Sequence, residues 1–214
     1  MARLAKLVFA VLAFAGLFAI GVASWLLAGG IGARAQPSQA ETRIARGLRA
    51  FAIPAAARGR RNPVAADAAT LTEAKAHFAD HCATCHGNNG SGDTMFGRGM
   101  YPRPPDMRLD ATQQLSDGEL FYIIENGVRL TGMPAFGDGT PESEAASWGL
   151  VHFIRHLPKL TESEIEQMKR LNPKSAEEWR EEERIQRFLE GKNPKETPKE
   201  PPARPRHTHK HGGH

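Results

Sequence analysis

Apolar residues are distributed very unevenly along the chain, and their spacing sets the expected elements. From Leu7 to Leu27 the sequence runs for 21 residues with only Ser24 offering a polar side chain, and no charge appears until Arg34. About 20 such residues cross a bilayer as a helix, so residues 1–35 are expected to form a signal anchor or transmembrane helix, with Trp25 at the interface. A cleavable signal peptide is the rival reading, because Ala33-Arg34-Ala35 before Gln36 fits a small-x-small cleavage site. The apolar run exceeds the roughly 7–15 residues of a usual signal core, which favours a retained anchor.

Beyond residue 66 the pattern turns helical. Thr70-Leu-Thr-Glu73 reads as a capping box opening a helix toward His81, and Ser116-Asp-Gly-Glu119 repeats the device before Leu120, Ile123 and Ile124. Gly127 is placed to end that second helix in a left-handed cap. Thr140-Pro141 starts a third, whose apolar face is Trp148, Val151, Phe153, Ile154 and Leu157 and which Pro158 ends. Residues 36–66 are rich in Ala, Arg and Pro and read as a linker with one short helix around Ala40–Phe51. Two further capping boxes, Thr161–Glu164 and Ser175–Glu178, predict two exposed, charged helices over 161–191. No convincing alternating strand is found, so the expected class is all-α.

Charge changes the picture less than it first suggests. The net charge is +4 and the pI about 9.3. Residues 1–62 carry 9 Lys/Arg against 1 acidic residue, whereas residues 63–160 carry 7 against 12. The central segment is thus acidic, which repels phosphate backbones and argues against a nucleic-acid partner. Three modest helices also make a thin core for residues 67–160, and the stretch from Asn88 to Thr112 shows no periodicity. A loop that long in a compact domain suggests that it wraps something.

The chemistry sits in His81-Cys82-Ala-Thr-Cys85-His86-Gly87, which contains C-x-x-C-H, the attachment signature of c-type haem. Thiols one turn apart can add to two haem vinyl groups, and the adjacent His86 can then donate a ring nitrogen to the iron. Only two cysteines are present, and both are used. A thioredoxin-like pair would need a strand-helix context, and a zinc site would need more ligands than Cys82 and Cys85 supply. For a sixth ligand, Met95, Met100, Met107 and Met133 are candidates. Met133 stands out within Gly132-Met-Pro-Ala-Phe-Gly137, a rigid loop between two helices; its neutral, soft thioether favours Fe(II).

These residues resemble the class I monohaem c-type cytochromes, particularly bacterial membrane-anchored members, over about residues 68–160. The resemblance implies a class I cytochrome c fold wrapping one covalent haem c on Cys82 and Cys85, with His86 and Met133 as axial ligands of the iron. It implies that a carbonyl of Pro104 or Pro105 holds the His86 imidazole, and that Ala74 and Phe78 on the first helix face Leu150 and Phe153 on the last. It also implies haem attachment outside the cytoplasm, and so a single-pass protein of the cytoplasmic membrane whose haem domain faces the periplasm.

Other residues carry secondary readings. Arg98, Tyr101 and Arg103 could meet haem propionates. His152 and His156, and likewise His77 and His81, lie one turn apart and could clasp a metal, though solvent-facing pairs are commoner. Residues 192–214 are Pro-, Lys- and His-rich and are expected to be disordered, with His207, His209, His211 and His214 a candidate Cu, Ni or Zn site. The expected function is electron transfer within a respiratory or dehydrogenase chain, with a dehydrogenase or terminal oxidase as redox partner and no catalysis by the chain itself. The alternatives are a haem-containing metal-handling or assembly factor that uses the His-rich tail, and a haem sensor or peroxidase with an open iron site.

Overall fold

A computed structural model describes residues 2–28, 30 and 32–191. The side chain of Trp25 and the tail over 192–214, with its four histidines, lie outside the described residues. By contacts the chain divides into two units, Met1–Gln36 and Pro37–His214. No strand occurs among the described residues.

The first unit is one helix, α1 (Ala2–Ala28). Within it Arg3–Ser24 is long and apolar enough to cross a membrane, and none of that stretch is buried inside the protein. Its large apolar side chains, such as Leu7, Phe9 and Phe14, point outward.

The second unit begins with α2 (Gln39–Ala52), opened by a Ser38–Glu41 capping box, and the short α3 (Ala55–Arg58). This stretch, expected as a linker, touches the core. Ile53 is 3% exposed, the Asn62 side-chain amide donates to the Trp148 carbonyl at 2.9 Å, and the Ser116 hydroxyl donates to the Arg58 carbonyl.

The main core is made by α4 (Ala68–His77), α8 (Asp117–Asn126) and α9 (Pro141–His156), the last packing against both of the others. The cap of α4 differs from the sequence expectation. Asp67, not Thr70, is the N-cap, its carboxylate accepting from the Thr70 backbone N–H at 2.8 Å. Asp is as good a cap as Thr, and Ala68-Ala69 behind it favour helix, so the helix starts earlier and Thr70 falls in its first turn. The other three expected boxes form as read, at Ser116, Thr161 and Ser175. Where α4 meets α9, the Phe78 and Phe153 ring centroids are 5.1 Å apart. Ala74 lies against Gly149, where a Cβ would be 3.6 Å from the Ala74 Cβ, and shares the core cluster with Leu150. On the other flank Phe121 stacks on Trp148 at 4.1 Å, with the Arg60 guanidinium 4.4 Å from the Phe121 centroid. Arg155 ties α9 to the start of α8 by donating to Asp117 and to the Gln113 and Leu115 carbonyls.

After the turn Leu157–Lys159 come α10 (Glu162–Leu171) and α11 (Ala176–Leu189). The expectation of two exposed helices holds only in part. Met168 of α10 is fully buried, and α10 packs against α4 and the turn directly after it. Ile165, Met168 and Leu171 recur at i, i+3, i+6 on this otherwise charged helix, and Ile165 is half-buried beside Met168.

Candidate functional site

The helix that begins at Ala68 does not stop at His77. It passes through a π-turn over Phe78–Cys82 into α5 (Ala83–His86), so the whole C-x-x-C-H segment is helical. A π-turn admits one extra residue and rotates the helix beyond it, a device common at functional sites. Phe78 and Ala79 are buried on the core side of this turn, and Ala83 and His86 are buried beyond it. Cys82 and Cys85 are half-buried and unbridged.

Burial sets the protonation of all three donors. It pushes the Cys82 thiol up to about 12, with Cys85 adding to the effect, and raises Cys85 as well. Burial also pulls the His86 imidazole down to about 4. At neutral pH the segment therefore presents two S–H groups and a neutral imidazole able to donate a lone pair.

The segment from 88 to 112 folds back on the end of this helix. It contains two short helical turns that lacked a visible period in the sequence, α6 (Met95–Arg98) and α7 (Asp110–Gln113). The orphan carbonyls at the end of α5 find their donors in it: the Thr94 hydroxyl for Cys85, the Gly92 N–H for His86 and the Gly90 N–H for Gly87. Glycine is required at two of these points. Gly92 has φ of +73°, and a Cβ there would lie 2.2 Å from the Pro104 carbonyl oxygen. At Gly97 a Cβ would come within 2.8 Å of the Cys85 carbonyl oxygen. So the loop is wrapped tightly around the His86 end of the helix.

One expected contact is absent. His86 Nδ1 is buried and has no hydrogen-bond partner, although the Pro104 and Pro105 carbonyls lie against the neighbouring Gly92. An unsatisfied buried nitrogen costs about 1–3 kcal/mol, so the ring sits where the polypeptide alone does not complete its environment.

The Gly132–Gly137 loop is held by the other end of the core. The Phe136 and Gly137 N–H groups donate to the Ile124 and Glu125 carbonyls, closing the end of α8. The Val128 N–H donates to the Met133 carbonyl, and the Met133 N–H to the Thr131 hydroxyl. Gly127 has positive φ as expected, but its ψ of −168° is extended rather than left-handed helical. The reason is proximity, since a Cβ on Gly127 would lie 2.6 Å from the Ala135 nitrogen. Met133 is half-buried in this loop. Among the other methionines Met107 is in the core, Met95 is 76% exposed, and the Met100 sulfur lies 2.9 Å from where a Gly132 Cβ would be.

The secondary readings resolve into ordinary contacts. Arg98 pairs with Asp93 at 2.7 Å, and the Tyr101 hydroxyl donates to Glu41 at 2.9 Å. His152 Nε2 is 2.8 Å from the Val64 carbonyl, and His156 Nε2 is 2.9 Å from a Glu164 carboxylate oxygen. The two are half-buried rather than solvent-facing and serve separate partners. His77 and His81 meet edge to face at 4.8 Å. Among the described residues no group of three or more His, Cys, Asp or Glu is arranged to hold a metal.

A helical segment carrying two half-buried thiols followed at once by a buried imidazole has the donor set that a covalent porphyrin requires. The chain carries a class I c-type cytochrome domain. Residues 69–154 match the family described as cytochrome C oxidase, cbb3-type, subunit III. Among curated proteins no match is found. Such a domain binds haem c covalently with its iron, and its work is electron transfer. The sequence reading missed the π-turn and the buried Met168; a π-turn has no local sequence signature, whereas the Ile165, Met168, Leu171 spacing was the signal for a docked face on α10.

Proposed function

We propose that the chain is a one-electron carrier whose haem is attached through Cys82 and Cys85, with His86 and Met133 as axial ligands, and that it works in a respiratory or dehydrogenase chain facing the periplasm. The observation that carries the assignment is the buried His86 directly after half-buried Cys82 and Cys85 on one continuous helical segment. When bound, the haem supplies a metal that cycles between Fe(III) and Fe(II). The residues do the rest: the thiols give up S–H bonds for thioether links, His86 offers one ring nitrogen, and the bonded Gly132–Gly137 loop holds the Met133 sulfur. A neutral nitrogen and a neutral sulfur suit both oxidation states, so little rearrangement is needed on transfer.

In this reading α1 anchors the protein, residues 36–66 link it to a cytochrome domain over 67–160, and residues 161–191 form an extension. The partners are redox proteins such as a dehydrogenase or a terminal oxidase, and the chain serves as a carrier subunit rather than a catalyst. The acidic balance of residues 63–160 favours a basic docking face on the partner, and such complementarity mainly raises encounter rate.

The test is a redox titration with spectra of Met133→Ala beside wild type. The weak ferric sulfur-to-iron band at the red edge should vanish and the potential should fall. A variant indistinguishable from wild type would remove Met133 from the iron.

A further inference from the structure

Helix α2 is inverted relative to an ordinary surface helix. Ile44, Leu48 and Phe51 follow i, i+4, i+7 spacing and form one apolar stripe, yet they are 62%, 62% and 88% exposed. One flank of the helix, the one that carries Glu41 and Arg49, is tied to the protein. Glu41 accepts from the Tyr101 hydroxyl. Arg49 is half-buried and lies close enough to Glu119 to feel its charge, and Ile53 just after the helix is buried. The helix is therefore held with its apolar stripe outward, which in water is unfavourable and calls for a cover.

Two observations identify the cover. Arg43 is exposed on the flank of the stripe, about 100° around the helix from Ile44, and the helix carries three Arg against one Glu. In α11 the comparable stripe of Ile185, Phe188 and Leu189 is also exposed, but that helix carries five Glu against three Arg. Of these two stripes, α2 alone matches an anionic surface. Chain connectivity supplies the second: ten residues separate Ala28 from Gln39, and they span at most about 35 Å when fully extended. The start of α2 thus cannot stray far from the end of the apolar helix.

We propose that α2 lies in the plane of the membrane surface, with Ile44, Leu48 and Phe51 seated at the boundary of the acyl chains and Arg43 among anionic headgroups. This is the arrangement of an interfacial amphipathic helix, whose binding adds buried apolar area to charge attraction. It rests on the reading of α1 as a membrane anchor, and it holds the cytochrome domain at a fixed distance from the bilayer rather than on a free tether.

The experiment uses the full-length haem-loaded protein in vesicles of phosphatidylcholine and phosphatidylglycerol. Single cysteine substitutions at Ile44, Leu48, Phe51, Arg46 and Phe18 are spin-labelled, and collision with oxygen is compared with collision with a water-soluble nickel chelate. The labels at Ile44, Leu48 and Phe51 should lose nickel collisions severalfold and gain oxygen collisions, while the label at Arg46, about 200° around the helix from Ile44, stays aqueous. The label at Phe18 should be deeply immersed. If it is immersed while the stripe behaves like Arg46, the inference about α2 is wrong and the anchor stands. If Phe18 is itself aqueous, the anchor reading fails and takes the inference with it. Stripe labels shielded from both reagents would mean a protein cover, a second copy or a partner subunit, and would equally overturn it.

Discussion

The two sides of the proposed haem site are built by opposite means. On the His86 side the ligand rides on a continuous helix from Ala68 to His86, backed by α9 through Phe78 and Phe153 and by α10 through Met168. On the Met133 side the ligand rides on a loop with no helix of its own, fixed by backbone bonds to the end of α8. The helix of the first is held by apolar packing, which is distributed over many contacts and tolerates small changes, with close backbone approaches confined to the loop around its end at Gly92 and Gly97. The second depends on a few close backbone approaches, at which a single atom is decisive. Under the proposed ligation, the sulfur side is the more easily displaced, and the potential is most open to adjustment there.

The sharpest way to break this contrast is at Gly127. Valine there would require positive φ from a β-branched residue and would place Cβ about 2.6 Å from the Ala135 nitrogen and the Pro134 carbonyl carbon, neither of which is a flexible tip. Gly127→Val should destabilise the domain by about 2–4 kcal/mol and abolish the sulfur-to-iron band while the haem remains covalently attached. Spectra before and after extraction with acidified acetone read both outcomes. A variant that keeps the band would show that the loop is not held as described.

Gly149 is the matching position on the other side. It lies inside α9 where α4 crosses, and a Cβ there would make ordinary contacts at 3.6 Å with Ala74 and 3.7 Å with Thr70. Gly149→Ala should stabilise the domain by about 0.5–1 kcal/mol through the backbone term, with no change in the band. Denaturant midpoints would show it. Loss of stability would mean that the helix crossing is as intolerant as the loop.

How much of the molecule is legible in its sequence divides along the same line. The main helices, three of the four capping boxes and the C-x-x-C-H segment are local or periodic features, and sequence carries those directly, whereas the Phe78–Phe153 contact is expected from the resemblance alone. Asp67 displaces Thr70 as a cap because two good acceptors compete within four residues, and only the register of the folded helix chooses between them. The ties of the 88–112 segment to Cys85, His86 and Gly87 are backbone bonds without side-chain signature, so the wrapping could be expected but not its pattern. The buried Nδ1 of His86, expected to bond a proline carbonyl, shows that resemblance supplies a partner's neighbourhood more reliably than its hydrogen bond.

The smallest effect concerns the support behind the His86 side. Burial alone would raise the Glu164 carboxyl, but hydrogen bonds from the Thr161 N–H and from His156 outweigh it and hold Glu164 below its ordinary value near 4.5. A carboxyl depressed in the folded state stabilises it above the unfolded value, and that contribution disappears as the pH falls through the folded one. The contact links the end of α9 to α10, so its protonation should loosen α10 and the Met168 packing before the haem ligands are affected. Denaturant midpoints of wild type should therefore fall, by less than about 1 kcal/mol, between about pH 5 and strongly acidic solution, and Glu164→Gln should remove that part of the fall. An equal acid loss in both proteins would detach α10 from the support of the proximal helix, and would leave apolar packing against α9 as what steadies His86.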